Sequence, residues 1–185
     1  MKNFIYQVLC LIQFDRMVDF ILKTRTQVRL FRYKEAGVAI NFVPQGGHEI
    51  MIAGDISKFK IHSTSHLKSE TFIECSGGVA IGRHFHTGRG LTIFSTNHNY
   101  MQPTHIPYDD IDIQRPVVIQ DFVWCGANVT VLPGATIGEG AVIGAGSVVS
   151  GIIPSCAVAA GNPARVVRYR DTLHFQAVKE RGLFA

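Results

Sequence analysis

The chain has 185 residues, with 18 lysines and arginines against 14 acidic residues and a formal net charge of +4. So small an excess of positive charge argues against nucleic acid as a partner, and the length suits one domain with a sizeable core. The four cysteines lack CxxC and zinc-finger spacing, which predicts a reduced, cytoplasmic protein that holds no metal.

Residues 1 to about 24 show the spacing of an amphipathic helix. The apolar positions are Phe4, Ile5, Val8, Leu9, Leu11, Ile12, Phe14, Val18, Ile21 and Leu22. Polar residues interrupt them before the roughly 18 apolar residues of a transmembrane helix, and the pattern does not fit a signal peptide. We predict a cap over the open end of the repeat domain described below. The rival prediction is peripheral contact of residues 1–22 with the inner face of a membrane. A turn-rich connector completes an N-terminal region of residues 1–48.

A loose repeat of six residues begins near Ile50 and changes phase once. The first phase runs through Ile61, Leu67, Ile73 and Val79, and the second, displaced by two residues, through Ile81, Thr87 and Ile93. The shift predicts a bulge or bend near Gly77 and Gly78 within a single domain.

The repeat stops over residues 94 to about 116, where polar and turn-forming residues dominate. They include Asn97, His98, Asn99, Tyr100, Pro103, His105, Pro107, Asp109, Asp110 and Asp112. We predict a loop extruded from one corner of the repeat domain. Long loops on rigid scaffolds are where function is usually placed.

From Ile119 to Ile153 the repeat of six becomes strict. The first slot of each hexapeptide holds Ile119, Cys125, Val131, Ile137, Ile143 and Val149, and the slot four residues later holds Val123, Val129, Ala135, Ala141, Ser147 and Ile153. Helices give apolar spacing near 3.6 and ordinary strands near two, so neither explains this period. Three hexapeptides per coil build a three-sided parallel β-helix with the first slot inward. We therefore predict a mainly β protein whose β-helix domain spans residues 49–164.

After the repeat, residues 165–185 form a basic tail that includes Arg165 and Arg168. A short helix is predicted from Thr172, the expected N-cap, to about Arg181. The predicted order is an N-terminal helical segment, a β-helix with an extruded loop, and a short C-terminal helix.

Four segments resemble the hexapeptide-repeat acyltransferases, and more narrowly the maltose, galactoside and capsular-polysaccharide O-acetyltransferase group. They are residues 124–128 (WCGAN), 132–138 (LPGATIG), 143–149 (IGAGSVV) and 159–164 (AAGNPA). The resemblance covers about 94–168 and is weak over 1–60. It implies a left-handed parallel β-helix, an exception to the usual right-handed crossover. It also implies acetyl-CoA as co-substrate and a homotrimer with active sites between neighbouring subunits.

The resemblance also implies the catalytic groups. The histidine base of the family maps onto His98, which would remove the proton of a sugar hydroxyl as it attacks the thioester. The backbone amide that stabilises the oxyanion maps onto Ala127. Asp109, Asp110 or Asp112 could orient His98, and so could a backbone carbonyl.

The other expected site residues follow from the same resemblance. The acetyl-CoA contacts are Trp124, Ala145, Gly146, Ser150, Asn162, Pro163, Arg165 and Arg168, and the contacts to a carbohydrate acceptor are Asn97, Tyr100 and Trp124. Gly151 stands where the family often has a lysine, which removes one expected contact to the CoA phosphates.

The expected function is an acetyl-CoA-dependent O-acetyltransferase acting on a sugar hydroxyl in surface polysaccharide or glycolipid synthesis. An N-acetyltransferase of an amino sugar, or a xenobiotic acetyltransferase, would use the same base and thioester. A γ-carbonic-anhydrase-like zinc enzyme is less favoured, because His84 and His86 should point outward with Phe85 inward. A β-helix scaffold without catalysis is less favoured because the loop of His98 is intact.

Overall fold

A computed structural model describes residues 2–184, and its body is a three-sided parallel β-helix. Met1 and Ala185, the outermost residues of the two predicted terminal segments, lie outside the described range. Two helices precede the β-helix, α1 (Lys2–Leu11) and α2 (Phe14–Glu35), and α3 (Thr172–Glu180) follows it. A single 3-10 turn spans Ile56–Lys58.

Three faces form the prism, and we number them in chain order. Face 1 contains β2 (Ile50–Ala53), β5 (Thr71–Glu74), β8 (Thr92–Phe94), β13 (Thr130–Val131) and β16 (Val148–Val149). Face 2 contains β3 (Phe59–Ile61), β6 (Val79–Ile81), β11 (Val117–Ile119), β14 (Thr136–Ile137) and β17 (Ile152–Ile153). Face 3 contains β7 (His86–Thr87), β12 (Trp124–Cys125), β15 (Val142–Ile143), β18 (Ala157–Gly161) and the antiparallel β19 (Ala164–Tyr169). The parallel pair β1 (Asn41–Val43) and β4 (His66–Lys68) adjoins β7, because the His66 amide donates to the Phe85 carbonyl.

The corners between faces are named by the faces they join. The 1–2 corner holds residues 75–78, 95–116, 132–135 and 150–151; the 2–3 corner holds 82–85, 120–123, 138–141 and 154–156; the 3–1 corner holds 69–70, 88–91, 126–129 and 144–147.

The core lies inside the prism and follows the six-residue repeat. All six first-slot side chains, from Ile119 to Val149, are at most 1% exposed. The predicted inward direction of this slot is therefore confirmed. Burial of each valine or isoleucine contributes about 1.5–3 kcal/mol. Burial also raises the pKa of the Cys125 thiol to about 12, so this cysteine behaves as a small apolar side chain.

The predicted change of phase near Gly77 is a bend in the 1–2 corner. Strand β6 pairs with β3 and β11 in continuous register, so the two extra residues fall outside the strands. A Cβ at Gly77 would lie 2.0 Å from the Ser95 carbonyl oxygen and 3.1 Å from the Arg115 nitrogen. Only glycine lets this coil approach the two residues from which the long loop departs.

The extruded loop begins and ends as an antiparallel hairpin. Its strands are β9 (Thr96–His98) and β10 (Asp112–Gln114), which pair with His98 opposite Asp112. The Arg115 amide donates to the Ser95 carbonyl at 2.8 Å and closes the base of the hairpin. The loop therefore projects from the 1–2 corner on an ordered stem.

Helix α2 covers the end of the prism, through residues that follow the segment predicted to do so. Its Arg29 Nη1 donates to the Ile50 carbonyl at 2.6 Å and to Glu49 Oε1 at 2.8 Å, and the Tyr33 hydroxyl accepts from the Ile52 amide at 2.8 Å. The prediction that the helix ends near residue 24 is wrong, because these cap contacts extend it to Glu35. Gln13, in the left-handed region with a φ of 52°, separates α1 from α2.

Helix α1, the link to α2 and the first half of α2 expose many apolar side chains, among them Phe4, Leu11, Ile12 and Phe20, each more than 60% accessible. No helix within residues 2–184 is long and apolar enough to cross a membrane. Contact of residues 1–22 with a membrane surface stays a prediction.

The C-terminal segment differs from the prediction in two details. Residues 164–169 are not a free tail but pair with β18 as an antiparallel strand. The N-cap of α3 is Asp171, one residue before the predicted Thr172, because the Asp171 carboxylate accepts from the His174 amide at 2.9 Å.

Candidate active site at two corners of the prism

His98 lies at the end of β9, where the loop leaves its stem. Its ring stacks on Tyr108 with centroids 4.0 Å apart and planes 7° apart. Its Nδ1 lies 3.4 Å from Asp112 Oδ1, across the hairpin. The His98 side chain is 54% exposed, so the imidazole is oriented on two sides and accessible on the others.

The three candidate aspartates of the loop have different environments. Asp112 faces His98, whereas the buried Asp109 organises the loop by accepting from the amides of Thr104 and Ile111 and from Asn99 Nδ2. The hydrogen bond from the Thr104 amide is the main reason that the pKa of Asp109 is lowered. The structure thus places Asp112, and not Asp109, beside the predicted base.

The two acceptor residues predicted on the loop adjoin His98 in the chain. Asn97 Oδ1 accepts from the His98 amide at 2.9 Å, and Tyr100 is exposed. Tyr108 was not predicted, because ten residues separate it from His98 and only the folded loop stacks the two rings.

The predicted oxyanion donor, Ala127, lies at the 3–1 corner. Its carbonyl accepts from the Gly146 amide at 2.8 Å, while its own N–H makes no hydrogen bond to any residue between 2 and 184. A Cβ at Gly88 would lie 2.6 Å from the Ala127 nitrogen, so only glycine lets the preceding coil approach this amide so closely. An oxyanion donor needs an unpaired N–H of this kind, and the role of Ala127 stays a prediction.

Small residues continue the 3–1 corner as a channel. A Cβ at Gly126 would lie 2.6 Å from the Ala145 nitrogen, whereas a Cβ at Gly146 would meet nothing within 4 Å. The surface is therefore open beside Gly146, where the resemblance predicts the pantetheine arm of CoA. The adjoining face 3 holds five more of the predicted CoA contacts. They are Trp124 on β12, Asn162 and Pro163 in the β18–β19 turn, and Arg165 and Arg168 on β19. Two arginines beside the channel suit the CoA phosphates.

The structure does not bring all predicted site residues together in one chain. His98 and Ser150 lie at the 1–2 corner, whereas Ala127, Ala145 and Gly146 lie at the 3–1 corner. Face 1 separates these corners by about five extended residues, roughly 16 Å. A general base must come within about 3 Å of the proton it removes. A single chain therefore supplies the two halves of the predicted site at different edges.

The histidines of face 3 do not form a cluster of zinc ligands within the described residues. Phe85 is fully buried, as predicted, and His86 lies on the outer surface of the prism, with its ring centroid 4.2 Å from that of His66. Within residues 2–184, no group of three or more His, Cys, Asp or Glu side chains could hold a metal ion.

Comparisons with known proteins agree with this geometry. Residues 116–151 match the sequence model of the bacterial transferase hexapeptide (six repeats) family. A protein of Escherichia coli (strain K12), named as a candidate lipopolysaccharide biosynthesis O-acetyl transferase (WbbJ), is 45% identical over 99 residues, 49% of this chain and 50% of that protein. The chain thus spans about half the length of this curated relative.

Solved structures show the same prism. A maltose O-acetyltransferase from Clostridium difficile 630 is 30% identical with a TM-score of 0.52, over 71% of this chain and 64% of that one. A hexapeptide-repeat acetyltransferase of Vibrio cholerae O1 biovar eltor, solved with acetyl coenzyme A, is 21% identical with a TM-score of 0.59, over 80% and 87%. The second likeness concerns the fold alone.

The fold is a left-handed parallel β-helix, as predicted. More narrowly, residues 116–151 match the repeat of the bacterial transferase hexapeptide family, and the similar proteins include some named as O-acetyltransferases.

Proposed function

We propose that the protein is an acetyl-CoA-dependent O-acetyltransferase that modifies a sugar hydroxyl in surface polysaccharide or glycolipid synthesis. The observation that carries the proposal is the placement of His98, an imidazole oriented by Asp112 and Tyr108 on a loop of a rigid prism. The names of the E. coli and C. difficile proteins support the O-acetyl reaction.

In the proposed reaction, Asp112 accepts from Nδ1–H of His98, which leaves Nε2 as the nitrogen that takes a proton. Nε2 removes the hydroxyl proton while the acceptor oxygen forms a bond to the thioester carbonyl carbon. The Ala127 amide donates to the carbonyl oxygen as negative charge develops there. The carbon–sulfur bond then breaks, and the imidazolium returns the proton to the sulfur of CoA. The products are a sugar acetate ester and free CoA.

The reaction as proposed needs two copies of the chain. His98 and Ser150 of one subunit would meet Ala127, Ala145 and Gly146 of its neighbour, because the two sets lie at opposite edges of face 1. A closed homotrimer would repeat this contact three times with identical surfaces. The separation of the two corners within each chain supports this assembly.

The reaction is tested by measuring CoA release from acetyl-CoA against a panel of neutral glycans, acidic glycans and amino sugars. We expect release that depends on the acceptor, with a product that mild alkali hydrolyses, because acetate esters are labile and amides are not. An alkali-stable product on an amino sugar would replace the proposal with the N-acetyltransferase. Release no faster than in the acceptor-free control, for every compound, would contradict both.

Asp112→Asn is expected to lower kcat about fivefold, the upper scale for an exposed ion pair, with an unchanged KM for acetyl-CoA. The effect should be limited because Asp112 and His98 are both more than half exposed and Tyr108 still holds the ring. Asp112→Glu should keep most of the activity, and Asp110→Asn is the matched control on the same loop. Equal kcat for Asp112→Asn and Asp110→Asn would show that Asp112 does not position the base.

A further inference from the structure

A cavity of about 470 Å³ lies between face 3 and the C-terminal segment that contains α3. Strands β4, β7 and β12 supply one wall through His66, Lys68, His86 and Trp124. The segment from Arg170 to Phe184 supplies the other wall. Sequence patterns did not predict this cavity, because its two walls are more than 45 residues apart in the chain.

The lining of this cavity is positively charged. It contains Lys68, Arg170 and Lys179 and four histidines, and no aspartate or glutamate is among its described lining residues. Lys179 is already paired with Glu139 at 2.7 Å, whereas no carboxylate within residues 2–184 forms an ion pair with Lys68. Burial, followed by the positive fields of His86 and Lys68, lowers the pKa of His66. Because the lining holds three cationic side chains and no carboxylate, the cavity favours a negatively charged group.

Aromatic rings complete the lining. Phe122 stacks on His84 with centroids 5.2 Å apart, Phe184 closes over His84 at 4.6 Å, and Trp124 is 58% exposed. A pocket with flat apolar walls and a few converging polar groups is the usual form of a small-molecule site. A sugar ring offers an apolar face to such walls and hydroxyls to the histidines.

The cavity is continuous with the proposed reaction channel. Lys68, Thr87 and Trp124 line both the cavity and the neighbouring groove that contains Gly126 and Ala127. An acceptor with one end in the cavity would thus extend toward the Ala127 amide, where the acetyl group is transferred.

We propose that this cavity binds a carboxylate or phosphate group of the acceptor, so that the preferred substrate is an anionic sugar. The inference rests on the proposed function. Lys68 and the His66–His86 pair would hold the anionic group, Trp124 would contact the sugar ring, and a hydroxyl at the other end of the sugar would face the acetyl group.

The test compares kcat/KM for glucose, glucuronic acid and glucose 6-phosphate, measured as CoA release. The wild-type protein should prefer at least one anionic sugar over glucose by about tenfold, the scale of one hydrogen bond to a charged group. Comparison of glucuronic acid with glucose 6-phosphate shows whether the cavity prefers a carboxylate or a phosphate. Lys68→Gln should remove most of the preference in kcat/KM for the anionic sugar over glucose. Lys60→Gln, a lysine on the outer surface of face 2, is the matched control and should leave this preference unchanged.

Binding without turnover separates this inference from the proposed reaction. Saturation-transfer NMR should detect glucuronic acid or glucose 6-phosphate on the wild-type protein and a weaker signal on Lys68→Gln. If binding follows this pattern but no CoA is released, the cavity assignment stands and the acetyltransferase proposal fails. If sugars are acetylated with no preference for anions and neither anion binds, the cavity assignment is overturned and the acetyltransferase stands.

Discussion

His98→Ala is expected to lower kcat at least about a hundredfold, the scale of a lost general base. A hydroxyl is a weak nucleophile near neutral pH, and His98 is the imidazole that the loop holds between Asp112 and Tyr108. The KM for acetyl-CoA should change little, because the channel at the 3–1 corner remains intact. Steady-state rates of CoA release at saturating acceptor measure this directly.

His105→Ala is the matched control for this substitution. His105 lies on the same loop, is exposed, and contacts Thr104 through Nδ1 at 3.0 Å. Its removal should leave kcat within about twofold, as for surface substitutions of about 0.5 kcal/mol or less. Near-normal turnover of His98→Ala would disprove the proposed base, and an equal loss in both variants would indicate disruption of the loop instead.

Mixing two inactive variants should restore activity. Ala145→Trp places a bulky side chain in the channel of small residues and should block acetyl-CoA, because Ala145 is exposed at the 3–1 corner. In every mixed trimer of His98→Ala and Ala145→Trp chains, about one site in three should combine an intact loop with an intact corner of the neighbour. Co-expression with two affinity tags and assay of the doubly tagged fraction measures the recovery.

Ser155→Trp controls for the added bulk. Ser155 is exposed at the 2–3 corner, in a turn of the same repeat, and lies away from the channel. The variant should be active alone, which separates blockage of the channel from damage to the prism. Mixed trimers as inactive as their parents would show that each site is built within one chain, and the intersubunit arrangement would be abandoned.

The prism was predictable because one rule governs many residues. Every sixth side chain from Ile119 to Val149 is buried in the same way, so each apolar residue at these positions independently predicts the same fold. The end of α2 was not predictable in this way. Its second half is held by contacts, such as those of Arg29 with Glu49 and the Ile50 carbonyl, to a surface that exists only after folding.

Part of the candidate site was predicted from the resemblance to known motifs and not from the six-residue repeat. His98 and Ala127 follow from motifs, but the choice among three nearby aspartates depends on the hairpin register that sets Asp112 opposite His98. The partner of His98 in the stacked pair, Tyr108, depends on the fold of the loop tip. The cavity behind Trp124 depends on where α3 packs, which local sequence patterns do not encode.

The hairpin that carries His98 does not change the strand register of the neighbouring face 2. Val79 pairs with Val117 and Ile81 with Ile119 as if the intervening residues were absent. The loop is therefore an insertion between two strands of the prism, and its base is fixed by the close contacts of Gly77, Ser95 and Arg115. Since the cost of closing a loop grows only slowly with its length, the tip can be lengthened or exchanged while every coil keeps its register. Such a scaffold can acquire a new acceptor without refolding its core.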